Sequence, residues 1–383
     1  MKITRGLKVR GFILAAAFFV GLGFGTSAFA QYYRSYLIDL NGKTVTDIGN
    51  SGGTSIYSFS RAYGINDAGQ VVGAAMTTEG ALHAFITGPN GVGLRDLGTL
   101  RGPLSQAHDI NDVGQVVGFS STTGGDYHAF ITGLNGMGMR DLGTLGGTSV
   151  IDNSSANGIN DAGQVIGYSW TTEGALHAFI TGANGMGMSD FGTGGANDIN
   201  NAGQVVGQSG NHASITGPSG MGTRDLGTLG GTSSIDSSSA NGINDAGQVI
   251  GWSETVGGAR HHAFITGPDG MGMKDLGTLG GFNSEAFGIN NIGQVVGLAE
   301  TAEGMAHAFI TGPSGRGMMD LNSLIDVPGG VILARATHIN NAGQVIALAI
   351  PEPEISALFL AGLAMIGVSA RRKKMDARAP CLE

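Results

Sequence analysis

Short runs of β-branched and aromatic residues alternate with Gly-rich polar turns along most of this chain. A nine-residue phrase, Ile-Asn-Asp-Ala-Gly-Gln-Val-Val-Gly, shows the pattern most clearly and runs from Ile65 to Gly73. Its Ile and two Val are β-formers, and they flank Asn, Asp and Gly, which tight hairpin turns prefer. The phrase therefore predicts a strand, a turn and a second strand, with an Asn or Asp side chain capping the turn.

The phrase recurs at spacings of 45, 49, 40, 44, 46 and 50 residues. Its seven copies begin at Ile65, Ile110, Ile159, Ile199, Ile243, Ile289 and Ile339. This period is typical of a repeated supersecondary unit. The residue after Asn is Asp in four copies (Asp67, Asp112, Asp161, Asp245) and Asn in three (Asn201, Asn291, Asn341). Both side chains make Asx turns, so we interpret this position as a turn cap and not as a metal ligand.

Each unit carries two further β-forming runs that end in Gly. The first is His-Ala-Phe-Ile-Thr-Gly at His83, His128, His177, His262 and His307, with a degenerate copy at His212. The second is Asp-Leu-Gly-Thr-Leu-Gly-Gly or a relative of it, at Asp96, Asp141, Asp190, Asp225, Asp275 and Asp320. One unit thus holds about four short strands, and seven such units predict an all-β, seven-bladed β-propeller. A β-solenoid is the alternative, although it usually has shorter coils and needs capping elements.

The two ends of the repeat array are complementary halves. Residues 36–49 read as degenerate copies of the His-Ala-Phe-Ile-Thr run and of the Asp-Leu-Gly run, whereas nothing similar follows the last hairpin at Ile339. Joining the halves completes a seventh blade and leaves no open sheet edge, so we expect closure between the N-terminal and C-terminal strands. Unit four is trimmed, with nine residues from Asp190 to Ile199 where unit three's connection takes eighteen, and we expect a surface loop to absorb the deletion.

The N-terminal residues 1–30 predict an export signal. Four basic residues precede an uncharged apolar run, and Ala28-Phe29-Ala30 fits a small-x-small cleavage site. The mature chain is expected to begin at Gln31, with the repeat body covering residues 31–350.

The C-terminal stretch has three parts in order: Pro351-Glu352-Pro353, an apolar run over residues 355–370, and a basic cluster that begins with Arg371 and Arg372. The apolar run predicts a transmembrane segment, although it is short for an average bilayer. Residues 351–374 are therefore expected to form a transmembrane segment, and residues 375–383 a short tail without a readable signal.

This stretch resembles the PEP-CTERM sorting signal of Gram-negative bacteria, and the resemblance implies processing by an exosortase during export to the envelope or extracellular matrix. The repeats resemble the HAF family of extracellular repeat proteins, whose tripeptide begins here at His83, His128, His177, His262 and His307. That family implies no biochemical activity.

Charge and cysteine content narrow the choice of partners. Residues 31–350 contain 11 Lys or Arg and 25 Asp or Glu, and so acidic a surface repels nucleic acid. The sole cysteine, Cys381, lies beyond the basic cluster, so the repeat body depends on sheet packing and not on disulfides.

The repeated His and Asp are the tempting functional residues. Equivalent positions of a propeller lie on one ring, so the imidazoles could converge on a ligand, and the Asp could bind calcium. We favour structural roles for both, because a residue present in every repeat more often serves what every repeat must do. No nucleophile and base stand out, and we predict no catalytic residues, no metal and no cofactor.

Three function classes remain open. The first is a structural or adhesive component of the cell surface or matrix, the second a carbohydrate-binding propeller, and the third an enzyme acting on polysaccharide. Trp170 and Trp252 support the second class, because we place them at the same position of units three and five, just after the hairpin, where exposed rings could stack on sugars. Extracellular polysaccharide and the exosortase machinery are the expected partners.

Overall fold

The computed structural model describes residues 34–49, 60–147, 152–230, 236–256, 260–328 and 330–351. These residues form seven antiparallel sheets of four strands each, one sheet for each predicted blade. The protein is an all-β, seven-bladed propeller, as the repeat predicts, and all the strands of the described residues belong to its blades.

The strands follow the chain in repeating sets of four, after two strands that precede the first repeat, β1 (Arg34–Asp39) and β2 (Thr44–Asp47). Blade 1 contains β3 (Ser60–Ile65), β4 (Val71–Met76), β5 (Leu82–Thr87) and β6 (Leu94–Gly98). Blade 2 contains β7 (Ser105–Ile110), β8 (Val116–Ser121), β9 (Tyr127–Thr132) and β10 (Met139–Gly143). Blade 3 contains β11 (Ser154–Ile159), β12 (Val165–Trp170), β13 (Leu176–Gly182) and β14 (Met186–Gly192).

Blade 4 contains β15 (Asp198–Ile199), β16 (Val205–Ser209), β17 (His212–Thr216) and β18 (Thr223–Asp225). Blade 5 contains β19 (Ser238–Ile243), β20 (Val249–Glu254), β21 (His261–Ile265) and β22 (Lys274–Gly277). Blade 6 contains β23 (Gly280–Ile289), β24 (Val295–Thr301), β25 (Ala306–Gly312) and β26 (Arg316–Asp320). The last strands are β27 (Val331–Ile339) and β28 (Gln344–Pro351). Short 3₁₀ turns, such as Pro89–Gly91, connect the third and outer strands of blades 1 to 6, and one more, Leu321–Ser323, follows blade 6.

Each repeated phrase forms the centre of its blade. The strand that ends in Ile is the innermost strand, the strand that begins with Val is the second, the His-Ala-Phe strand is the third, and the Asp-Leu-Gly strand is outermost. The inner-strand ends of all seven blades meet around a central channel.

Blade 7 closes the ring with strands from both ends of the chain. Its order is β2-β1-β28-β27, and β1 pairs with β28 in a register that places Leu37 opposite Ile346. The predicted closure is therefore confirmed, and the β-solenoid alternative is wrong, since the last repeat meets the first strands instead of ending in a cap.

A β-bulge in the inner strand explains the last Gly of the phrase. In blade 1 the pairing between β3 and β4 shifts between Ala62 and Gly64, so Tyr63 is an extra residue. The carbonyl oxygen of Arg61 then lies 2.0 Å from where a Cβ on Gly73 would be, which only glycine allows. The bulge also directs the Tyr63 position toward the neighbouring blades.

The core consists of seven apolar layers between neighbouring blades. Each layer joins the second and third strands of one blade to the inner and third strands of the next, as Val72 and Ile86 meet Ala107 and Phe130 between blades 1 and 2. Both faces of every sheet are thus buried, which is why consecutive Val-Val pairs replace simple alternation. Blade 4 has the small Ser214 where five other third strands place a fully buried Phe.

The two ends of the channel define two faces of the disc. The turn face carries the hairpin turns between inner and second strands, such as Asn66–Gly69. The groove face is the opposite one, where second strands end and third strands begin, as at Met76 and Leu82. Both Arg34 and Pro351 lie at the groove face, because β1 starts there and β28 ends there.

Several predicted segments lie outside the described residues: the signal peptide of residues 1–30, the apolar run 355–370, the basic cluster, and the tail. Within the described ranges, no helix combines the length and the apolar character that a membrane crossing needs.

Deletion of residues 31–50 tests the closure, and we expect it to lower the melting temperature strongly or to make the protein insoluble. The deletion removes β1 and β2, which exposes the edge of β28 and strips Leu37 and Ile48 from the layer between blades 7 and 1. Thermal melts of two chains that both end at Pro351, with and without residues 31–50, measure the effect. Equal melting temperatures would contradict the role of these strands in stability.

Candidate functional site

A closed ring of asparagine side chains surrounds the turn-face mouth of the channel. Each repeated Asn donates from Nδ2 to the main-chain oxygen of the same Asn in the next blade, over 3.0–3.3 Å. The seven members are Asn66, Asn111, Asn160, Asn200, Asn244, Asn290 and Asn340. The bond from Asn340 to Asn66 closes the circle across the two ends of the array.

Each asparagine of this ring also fixes its own turn. In blade 1, Oδ1 of Asn66 accepts from the main-chain N–H of Gln70, and Nδ2 of Asn66 donates to Oε1 of Gln70. All seven asparagines are buried, and every hydrogen-bonding group of the amide has a partner. The Asn of the phrase is therefore both the predicted turn cap and the link between blades.

The Asp or Asn that follows forms a second ring, and here the turn-cap interpretation is wrong. Oδ1 of each of these residues accepts from the main-chain N–H of its counterpart in the preceding blade, over 2.8–3.1 Å. Asp and Asn both supply this acceptor oxygen, and the amides of Asn201, Asn291 and Asn341 also donate to neighbouring carboxylates of the ring. The four carboxylates of this ring, Asp67, Asp112, Asp161 and Asp245, make the turn-face mouth acidic.

Three titratable side chains line the channel behind this mouth. The position directly before the repeated Ile is Gly in four blades, but it is Asp109, Asp198 and His338 in three others. Each carboxylate links two blades: Oδ2 of Asp109 accepts from the N–H of Ile159. In the same way, Oδ2 of Asp198 accepts a hydrogen bond from the main-chain N–H of Ile243 in the next blade.

The channel shifts the protonation of all three groups. Burial raises the pKa of Asp109 to about 6 and that of Asp198 to about 7, with the charge of Asp109 adding to the second shift. Burial, and the charge of Arg335 after it, lower the pKa of His338 to about 4. At neutral pH the channel thus holds a neutral imidazole and two carboxyl groups that retain protons unusually well.

The repeated His and the repeated Asp are partners of each other. In blades 1 to 6, Nδ1 of the His lies 2.6–2.9 Å from a carboxylate oxygen of the Asp, which stands thirteen residues later on the outer strand of the same blade. In blade 7, Arg34 and Asp47 occupy the same two positions and form an ion pair of 3.5 Å. These pairs tie each outer strand to the third strand.

The geometry gives these pairs no common centre. They lie on separate blades near the rim, and within the described part of the chain no group of three or more His, Cys, Asp or Glu is placed to share a metal ion. The Asp also accepts a main-chain N–H two residues on, as Asp96 does from Gly98, which fixes the turn after the strand.

An aromatic trough on the groove face is the most promising binding site. A cavity of about 460 Å³ runs from Leu82 of blade 1 across blade 2 to blade 3. Aromatic rings from two blades line it: Phe119, Tyr127, Tyr168 and Trp170. Asn153 and two neighbouring serines supply its polar groups.

The trimmed unit four extends this trough. A second cavity of about 290 Å³ shares Tyr168 and Leu176 with the first and continues over blade 4 to Ser239 of blade 5. Its floor includes Gly195, whose main-chain N–H donates a hydrogen bond of 2.7 Å to the main-chain oxygen of Gln208. The short Gly-rich connection thus leaves room where the longer units carry side chains.

The structure corrects the placement of the two tryptophans. Trp252 pairs with Ser239 and Ala263, which is the position of Tyr168 in blade 3, whereas Trp170 lies two residues further along its strand. Trp170 lines the trough. Trp252 instead packs edge-on against His261, with 5.7 Å between ring centroids, and is not among the residues that line either cavity.

A row of rings connects the trough to the groove-face mouth of the channel. From the rim inward, Tyr127 meets Phe119, Phe119 meets His108, and His108 meets Tyr63, with centroid separations of 5.5–6.0 Å. The guanidinium of Arg61 lies 5.3 Å from the centroid of Tyr63. The identity of these residues varies between units, so the repeat pattern alone did not single them out.

The end of the chain matches a known sorting signal. Residues 349–373 match the model of the PEP-CTERM protein-sorting motif, which marks an exported protein that is sorted by an exosortase. The match begins within β28, and of the predicted signal residues Pro351 is the last of that strand, while Glu352, Pro353, Arg371 and Arg372 lie outside the described residues. No curated protein sequence matches this chain. The resemblance of the repeats to the HAF family stays a prediction.

Several solved structures of low sequence identity have a similar fold. A mutant puromycin hydrolase has a TM-score of 0.50 at 12% identity, covering 82% of this chain and 54% of that one. The putative TolB from Agrobacterium tumefaciens has a TM-score of 0.45 at 8% identity, covering 84% of this chain and 99% of that one. The β-propeller domain of the Trilobed protease from Pyrococcus furiosus has a TM-score of 0.48 at 10% identity, covering 75% of this chain and 86% of that one. At these identities the similarity shows the fold alone.

Substitution Asn200→Asp tests the asparagine ring. The new carboxylate replaces a donor that serves both Asn244 and Gln204, so it faces two acceptors in a buried site. We expect a loss of roughly 2–4 kcal/mol in the free energy of unfolding, measured by denaturant titration at pH 7. Asp112→Asn is the control in the outer ring, since three other units carry Asn there and the acceptor oxygen for Asp67 is kept, and it should cost much less. Similar losses for the two variants would contradict the importance of the inner ring.

Proposed function

We propose that this exported propeller is an interaction protein of a Gram-negative cell surface or extracellular matrix that binds extended polysaccharide in its aromatic trough. The observation that carries the proposal is the continuity of the two cavities from blade 1 to blade 5. A long open trough suits a linear polysaccharide better than a compact ligand, which would fill one closed pocket.

The lining of the trough supports a sugar ligand. Aromatic rings present flat apolar faces against which the C–H faces of pyranose rings pack, and neighbouring polar groups satisfy hydroxyls. Asn153 lies in the wall with its Oδ1 held by the N–H of Tyr127, and the hydroxyl of Tyr168 bonds Asn197. These bonds hold the rings in place before a ligand arrives, which reduces the entropy lost on binding.

Glycan binding by a chain of residues 31–351, which contains all seven blades, tests this proposal. We expect a glycan array to give a linear polysaccharide ligand, and Trp170→Ala or Tyr127→Ala to weaken its binding about tenfold, as the loss of a well-packed aromatic contact does. Trp252→Ala is the matched control and should leave binding unchanged, because Trp252 lies outside the trough.

Two outcomes count against a binding role in the trough. If Trp252→Ala weakens binding as much as Trp170→Ala does, the ligand sits elsewhere. If mass spectrometry of the recovered glycan shows shortened chains, the third function class, a polysaccharide-active enzyme, takes the place of a binding module.

We also propose that Pro351, Glu352 and Pro353 mark the processing site, which the matched sorting motif supports. Intact-mass measurement of envelope-associated protein should show a chain that lacks the residues from Arg371 onward. Glu352→Ala with Pro353→Ala should leave the full-length tail in place. Mature protein that still carries Arg371 to Glu383 would make the apolar run a plain membrane anchor.

A further inference from the structure

Unpartnered polar atoms concentrate where the propeller ring closes. Five buried side-chain nitrogen or oxygen atoms of the described residues have no hydrogen-bond partner, and four of them belong to the inner strands of blades 7 and 1. These four atoms are Nε of Arg61, Nε of Arg335, Oγ1 of Thr337 and Nδ1 of His338. Buried donors are normally satisfied, so this concentration needs an explanation.

The two arginines hold equivalent positions on neighbouring strands. Each stands four residues before the repeated Ile of its blade, and the register places Arg61 opposite Ala74 and Arg335 opposite Leu348. Both side chains lie on the groove-face side of the asparagine ring. The two guanidinium groups are near enough to each other for the charge of Arg61 to act on Arg335.

Aromatic rings hold both guanidinium groups without using their hydrogen-bond donors. Arg335 lies 3.5 Å from the ring centroid of Phe287, and Arg61 lies 5.3 Å from that of Tyr63. Neither group forms a hydrogen bond or an ion pair with any described residue. Both side chains are half-buried with their Nε atoms buried, so the terminal N–H groups of each planar guanidinium are the donors that remain for a ligand.

The surrounding charges leave this cluster positive. Glu285, on the inner strand of blade 6, is the acidic group near enough to act on Arg335, and its Oε1 already accepts from Asn241. Burial lowers the pKa of Arg335, the charge of Arg61 lowers it further, and Glu285 opposes both. His338 is neutral at pH 7 because burial lowers its pKa. Two positive charges thus stand against one negative charge.

We propose that Arg61 and Arg335 form a carboxylate-binding subsite at the centre of the groove face, and that the polysaccharide of the trough is an acidic one built from uronate units. This inference rests on the proposed function and names its ligand class. Guanidinium edges bind carboxylates through paired N–H donors, which favours a carboxylate over a neutral hydroxyl.

The row of rings makes the arginines and the trough one surface. Arg61 adjoins Tyr63, and the row continues through His108 and Phe119 to Tyr127 in the trough wall. A chain of sugar rings that follows the row places a carboxylate at the arginines while its other units lie in the trough. A peptide carboxylate would use the arginines but has no need of this row.

The first experiment observes the arginines directly and needs no variant. In ¹H–¹⁵N spectra of residues 31–351, we expect galacturonate to shift the Nε–H signals of Arg61 and Arg335, and galactose to leave them in place. The Nε–H of Arg316, an exposed residue on the turn face, is the internal control. Absence of a shift with galacturonate, or equal shifts for all three arginines, overturns the subsite.

The second experiment compares ligands that differ only in charge. Calorimetry should show oligogalacturonate binding about tenfold or more tightly than its methyl ester, the difference that a charge-assisted hydrogen bond supplies. Arg61→Gln or Arg335→Gln should abolish this preference and leave binding of the ester unchanged. Arg316→Gln, which removes the same charge from the turn face, should keep the preference.

The outcomes separate the two proposals. Binding of the ester without preference for the acid leaves the trough intact and overturns the arginine subsite. If neither oligogalacturonate nor its methyl ester binds, but galacturonate still shifts the two arginine signals, the carboxylate subsite is retained and the trough is not a polysaccharide site. Shifts caused by an acidic C-terminal peptide or by inorganic sulfate, but not by galacturonate, overturn the uronate assignment.

Discussion

The propeller depends on one hydrogen bond repeated around its axis, from each asparagine side chain to the main chain of the next blade. The amide is buried, and its Nδ2 donates one hydrogen bond to its own turn and one to the next blade. A blade that tilted away would therefore leave a buried donor or acceptor unsatisfied. The last bond joins Asn340 to Asn66 across the ends of the array. The ring therefore holds the first and last repeats together where the two terminal halves meet.

The strand pattern, the blade number and the closure followed from sequence, because hairpin chemistry and the complementary ends are local features of the chain. The partnership of His83 with Asp96 was missed, although a constant separation of thirteen residues in six units was a visible signal. The role of Asp67 was misassigned for a different reason. Its partner is the main-chain N–H of Asn341 in another blade, and the sequence of one repeat does not show which residues of neighbouring repeats come into contact. The trough could not be predicted, since Phe119, Tyr168 and Trp252 are different residues at one equivalent position.

Constant and variable positions of the repeat have different structural roles. Positions that every unit shares are bound to a neighbouring strand or blade, and a substitution there disturbs a contact that the whole ring needs. The variable positions that carry titratable or aromatic side chains lie mainly along the channel and the groove face, where one unit can differ from the next without disturbing the ring. Asp109, His338 and Arg61 all stand at such positions, next to the bulge that frees the inner strand from strict pairing. The side chains that distinguish one repeat chemically from another are thus confined to a few positions of an otherwise regular propeller.

The first and last described residues of the propeller, Arg34 and Pro351, lie on the same side of the disc. Arg34 and Ala349 are paired neighbours, and β28 points its last residue away from the acidic turn face. The matched sorting motif begins within β28, so the propeller passes into this motif on the side that carries the trough. The ring of carboxylates around the channel lies on the opposite side of the disc. Removal of the residues that follow Pro351 would therefore change the surroundings of the trough and leave those of the acidic mouth unchanged.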